Sequence, residues 1–104
     1  MHKKQEIWLV YIIKACDNTL YTGITTNLRR RWRQHSGEIK GGARFFNGRK
    51  PSSLVFVETF SDRSSASVRE AEIKKLSRQQ KDILLLSRRN QVSDYSEVNL
   101  QSEP

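Results

Sequence analysis

The sequence predicts an α+β domain built on a small three-stranded antiparallel sheet flanked by helices. Three observations predict it. Two runs of β-branched and aromatic residues, Ile7 to Ile13 and Thr19 to Ile24, flank the polar stretch Cys16-Asp17-Asn18, which is the pattern of a hairpin. A third run of this kind covers Leu54 to Phe60. Stretches with apolar residues at helical spacing follow the second and third runs, and the short links favour an antiparallel arrangement. Strands are therefore expected at about Ile7 to Lys14, Thr19 to Ile24 and Leu54 to Phe60, with helices near Leu28 to Ser36 and Ser64 to Ser77.

The first strand alternates Trp8, Val10 and Ile12 with Ile7, Leu9, Tyr11 and Ile13. Both faces are apolar, so this strand should be central and covered on each side. Its one hydroxyl belongs to Tyr11. A buried tyrosine commonly serves packing and bonds its hydroxyl to backbone, and that reading stands beside a functional one. The second strand carries Tyr21 and Gly23.

The first helix should start from Thr26 or Asn27 as N-cap and stop at Gly37, a left-handed C-cap. Leu28, Trp32 and His35 share one face, and Arg31 lies four residues before His35 on its edge. Leu28 and Trp32 are core candidates. Arg29, Arg30 and Arg33 read as a solvated basic face, and only Arg31 has the phase to look toward the sheet.

From Gly37 to Ser53 the glycines and Pro51 break any periodic pattern, and Lys40, Arg44, Arg49 and Lys50 make the loop basic. Basic residues interleaved with Phe45 and Phe46 suit a loop that tracks a phosphate backbone and stacks on bases, with one phenylalanine tucked into the core. This loop is expected to be the most mobile internal segment and to order on nucleic acid.

The second helix should be capped by Asp62 or Ser64. Ala66, Ile73 and Leu76 form its apolar stripe, and Glu70 falls inside that stripe while Glu72 points away. An inward carboxylate is costly unless paired or bound to a metal, so Glu70 is either a metal ligand or the partner of Arg31 or a lysine. Gln79 to Arg88 offers another short helix, with Ile83 to Leu86 closing the core. Residues 1–89 should form the single domain, and Asn90 to Pro104 is expected as a flexible tail.

The 104 residues allow one core. With 19 basic against 11 acidic residues, the net charge is +8 and draws polyanions, although a basic surface can simply aid solubility. One cysteine, Cys16, excludes an internal disulfide framework and a cysteine-rich metal site. The apolar run after Lys3-Lys4 reads as a strand rather than a signal peptide, and no run approaches a membrane span, so no membrane partner and a cytoplasmic location are expected. No P-loop, dinucleotide fingerprint, zinc pair or serine nucleophile motif is present.

Taken together, these motifs resemble the GIY-YIG nuclease superfamily, most closely its small stand-alone bacterial branch of the YhbQ type. Leu9-Val10-Tyr11 stands for the first half-motif and Tyr21-Thr22-Gly23 for the second. Arg31 and His35 take the places of the arginine and histidine of the helix. Glu70-Ala71-Glu72-Ile73-Lys74-Lys75-Leu76 fits the glutamate helix, and the resemblance covers about Trp8 to Arg78. Leu9 and Thr22 depart from the family name but leave both tyrosines and Gly23 in place. The asparagine near the end of many members has no clear counterpart beyond Asn90.

The resemblance implies a metal-dependent endonuclease that hydrolyses phosphodiester bonds of nucleic acid, DNA ahead of RNA, in repair or recombination. Tyr11, Tyr21, Arg31, His35 and Glu70 would be its catalytic residues, and Glu70 would hold one Mg²⁺ or Mn²⁺ with waters and substrate phosphate. Arg31 would clamp the phosphate. Tyr11 would act as general base, which requires nearby cations to lower its pKa. Tyr21 and His35 would bond the phosphate or relay a proton, and Gly23 would let the backbone pass close to the site. Arg44, Phe45, Arg49 and Lys50 would contact nucleic acid. The alternative is a non-catalytic nucleic-acid-binding module on the same scaffold.

Overall fold

A computed structural model describes residues 6–95. Strands β1 (Trp8–Ala15), β2 (Leu20–Thr25) and β3 (Pro51–Phe60) form one antiparallel sheet in the order β2-β1-β3. The strand with two apolar faces is thus the central one. Its register against β2 sets Tyr11 opposite Gly23 and Ile13 opposite Tyr21. The hairpin turns through Asn18 at φ 71°, a conformation that asparagine tolerates well. β3 begins three residues earlier than the apolar run suggested, because Pro51 sits at the first position of an edge strand, where its missing N–H breaks no ladder bond.

Three helices complete the fold: α1 (Leu28–His35), α2 (Arg63–Lys74) and α3 (Arg78–Leu85). Asn27 caps α1 by accepting from the Arg30 N–H, and Asp62 caps α2 by accepting from the Ser65 N–H. Gly37, at φ 87°, follows the end of α1 as expected. The second helix stops short of Ser77, which instead caps α3 in a reciprocal box with Gln80. On one face of the sheet Leu9, Tyr11 and Ile13 pack with Leu28, Trp32 and Phe46. On the other, Val10, Ile12 and Phe56 pack with Ala66 and Ile73.

Two expectations near the C-terminus change. Ile83 and Leu86 do not close the core: both are exposed, and Leu84 and Leu85 pack against it instead. The boundary of a tail at Asn90 also moves. The Asn90 amide donates to the carbonyls of Val55 and Leu85 and accepts from the N–H groups of Val57 and Val92. The Gln91 N–H donates to the Val57 carbonyl, and Val92 and Tyr95 pack against the core in a 3-10 turn. Polar residues with a weak sequence pattern are held here by backbone hydrogen bonds to β3, which hydropathy does not register. The rest of the expected tail, residues 96–104, lies outside the described residues.

Candidate active site

The site gathers where β1, β2 and α1 meet. Tyr11 projects from the central strand across β2, and its hydroxyl lies over Gly23. A Cβ on Gly23 would stand 2.5 Å from the Tyr11 Oη and 2.7 Å from its Cζ, so glycine there makes room for the phenol itself. Tyr21, two residues before Gly23, shares that face; its ring centroid is 6.2 Å from that of Tyr11 and 5.2 Å from that of His35.

The same short helix supplies two groups that reach the phenol, because residues four apart lie on one side of it. His35 Nε2 is 2.8 Å from the Tyr11 Oη, and the Arg31 Nε–H donates to that oxygen at 3.4 Å. The Arg31 Nη1–H donates to Gln34 Oε1 and to the Gly41 carbonyl, each at 2.8 Å. From the far side of the ring, the Ala43 N–H donates to His35 Nδ1 at 3.3 Å. Phe46 packs against the imidazole in a tilted arrangement with centroids 4.6 Å apart.

Burial governs the protonation of this cluster. Tyr11 is wholly buried and His35 is 4% exposed. Burial, with the nearby charge of Arg31, pushes His35 down to about 4, so the imidazole is neutral at pH 7. Burial also pushes the Tyr11 hydroxyl above its ordinary range, outweighing the hydrogen bond and charge of Arg31. The expected lowering of Tyr11 is therefore reversed. For Arg31, burial opposes the charge, but its contacts with Tyr11 and Tyr21 prevail and hold it firmly cationic.

Glu70 lies between Ala66 and Ile73 on α2, and its charge adds to the upward push on Tyr11. Its side chain is 22% exposed rather than fully inward, and it pairs with Lys74 Nζ at 3.2 Å. Among the described residues no three His, Cys, Asp or Glu side chains group to hold a metal. A lone, partly exposed carboxylate still fits a hard divalent cation whose remaining ligands are water and substrate oxygens.

The expected nucleic-acid contacts sit on the loop. Arg44 and Lys50 are exposed. Arg49 covers the Phe45 ring at 4.4 Å and pairs with Asp17 at 3.5 Å, while Phe45 also packs on Tyr21 and Phe46. Phe45 can thus stack on a base only where Arg49 moves aside. Gln34 and Ala43 touch the site without having been expected there. Gln34 sits three residues after Arg31, a spacing that permits contact but does not single it out; for Ala43 the active group is backbone, which leaves no trace in the side-chain pattern.

Residues 7–82 match the GIY-YIG catalytic domain. This chain belongs to the GIY-YIG family. Its relatives include a UPF0213 protein of Desulfotalea psychrophila, 51% identical over 75% of this chain and 70% of that protein. The UPF0213 protein YhbQ of Salmonella typhimurium is 42% identical over 78% of this chain and 79% of its own length. The solution NMR structure of a UPF0213 protein from Bacillus halodurans superposes with a TM-score of 0.53 at 34% identity, covering 88% of this chain and 95% of that one. In this GIY-YIG chain Thr22 of the second half-motif faces away from the site, 3% exposed, with its hydroxyl unpartnered among the described residues.

Proposed function

We propose that this GIY-YIG chain is a metal-dependent endonuclease that hydrolyses phosphodiester bonds, with DNA as substrate. The observation that carries this reading is the convergence of Arg31 and His35 on the Tyr11 hydroxyl, with Glu70 near enough for its charge to bear on the same phenol. Phosphodiester hydrolysis needs an activated water, donors for the charge that develops on phosphate, and help for the departing oxygen. A divalent cation held by Glu70 would supply further charge stabilisation on the phosphate.

The chain's own groups divide the remaining work. The Arg31 Nη1–H donates to a carbonyl oxygen, Gly41, that a phosphate oxygen can replace. Tyr11 is wholly buried, so substrate would reach it only once the Arg31 side chain on its hydroxyl has shifted. Burial is also the largest cause of its raised pKa. The same opening that admits phosphate therefore brings the phenol back toward a pKa at which it can take part in proton transfer. His35 and Arg31 would support the phenolate, and Tyr21 would bond the phosphate. Arg44, Phe45, Arg49 and Lys50 would hold the flanking strand.

A nucleic-acid-binding module without catalysis is favoured by one observation, the Lys74 ammonium that already occupies the Glu70 carboxylate. Incubation of the purified chain with labelled duplex, branched and single-stranded DNA and RNA, with Mg²⁺, with Mn²⁺ and with chelator, separates the two. Cleavage that appears with metal and vanishes with chelator is expected. Binding accompanied by the same background cleavage in all three conditions leaves the module.

A further inference from the structure

We propose that Gly41-Gly42-Ala43 is a positioning strap that fixes His35 as the Nε2–H tautomer, so that the imidazole donates to Tyr11 and the tyrosine's own proton points elsewhere. The inference rests on the role proposed above for Tyr11 and His35. A backbone N–H can only donate, so the nitrogen facing the Ala43 N–H, Nδ1 at 3.3 Å, must present its lone pair. A neutral imidazole carries one proton, which then sits on Nε2, 2.8 Å from the Tyr11 Oη. The Arg31 Nε–H, 3.4 Å away, also can only donate. The phenol oxygen thus accepts from two sides, and its own hydrogen is left to bond a phosphate oxygen or a water once Arg31 has moved to admit one to the buried hydroxyl. In this arrangement His35 does not receive the proton of Tyr11; it supports negative charge on the phenol.

The strap reaches the ring because its two glycines have no side chains to hold it off. A Cβ on Gly42 would overlap the Gln34 carbonyl oxygen and stand 3.2 Å from the His35 Cα. A Cβ on Gly41, whose φ is 111°, would meet Gln34 Nε2 at 2.8 Å. Backbone cannot yield as a flexible side chain can, so Gly42 is the position at which any larger residue lifts the strap. Two contacts hold it down: the Gly41 carbonyl on Arg31 and, just beyond, the buried Phe46 ring against the imidazole.

The experiment is nitrogen-15 NMR of the imidazole rings in the full chain, without metal or nucleic acid, with His35→Gln to assign the signals against His2, and with exchange of the Ala43 amide measured in parallel. The expected wild-type result is a single Nε2–H tautomer for His35 and an Ala43 amide protected from exchange. Gly42→Ala should lose the Ala43 protection and average the two ring nitrogens, while amides of the β1–β2 hairpin stay in place. Gly48→Asn is the control. Gly48 has a φ of 80° that asparagine accepts and open space around it, so the tautomer should not change. An Nδ1–H tautomer or an unprotected Ala43 amide in the wild type overturns the proposal, and this outcome is readable even where Gly42→Ala does not fold. A Gly42→Ala chain that folds and keeps both signatures overturns it too. Because no substrate is present, a chain that keeps the lock yet never cleaves overturns only the nuclease reading.

Discussion

Neutralising Glu70 separates chemistry from folding at the scale of one residue. Its pair with Lys74 is partly exposed, and such pairs contribute about 0–1 kcal/mol. Glu70→Gln should therefore keep its melting temperature within a few degrees and retain nucleic-acid affinity, while metal-dependent cleavage falls by orders of magnitude. A large drop in the thermal melt would mark Glu70 as structural instead. His35 makes a prediction of opposite kind, about stability alone. Its folded pKa of about 4 lies below the ordinary 6.5, so the unfolded chain binds a proton between those values and the folded chain does not. The stability that depends on neutral His35 is fully present above about pH 6.5 and is lost as pH falls toward 4. Denaturant titrations across that range should show a decline on the order of 3 kcal/mol, and His35→Gln should flatten it.

Among the elements, the Asn90 corner explains why the chain beyond α3 stays on the sheet. One side chain serves two carbonyls and two N–H groups, tying β3, the end of α3 and the 3-10 turn together. Asn90→Ala strands several part-buried backbone groups at once, each worth roughly 1–3 kcal/mol at most when left unsatisfied. A loss on the order of 3 kcal/mol by denaturant unfolding is expected, with hydrogen-exchange protection falling first in residues 84–95. The contacts of Arg31, His35 and Tyr11 should persist in that variant, since none passes through Asn90. A variant as stable as the wild type would show that the turn is held by Val92 and Tyr95 packing alone.

For the whole molecule, the net charge of +8 would give the proposed nucleic-acid binding a strong salt dependence. Several cations are already neutralised within the fold: Arg33 by Glu38, Arg69 by Glu58 and Glu72, and Arg78 by Asp82. Among the described residues Arg44 and Lys50 have no carboxylate partner. Replacing either by alanine should weaken binding about equally for all sequences and reduce the salt slope by about 1. An unchanged slope in both variants would place the nucleic acid on another face. No helix among the described residues is long and apolar enough to cross a membrane.

The sheet and the helices α1 and α2 were legible in the sequence because their signals are local. Two apolar faces mark β1 as central, a four-residue spacing puts Arg31 beside His35, and Asn27 and Gly37 bracket the helix. That the tyrosines, Gly23, Arg31 and His35 meet was foreseeable from strand alternation and helix phase, while Glu70 was singled out by its place in the α2 stripe and by the family resemblance. Tertiary structure decided what residue type does not encode. It determined that burial, more than nearby charge, sets the protonation of Tyr11, and that Glu70 is met by Lys74. It also placed backbone groups of Gly41 and Ala43 on Arg31 and His35. The same holds for Asn90, whose four partners come from segments up to 35 residues away. Periodicity records where a side chain points, whereas the partners of a carbonyl or an N–H, and the dielectric around a hydroxyl, exist only once distant segments have closed around them.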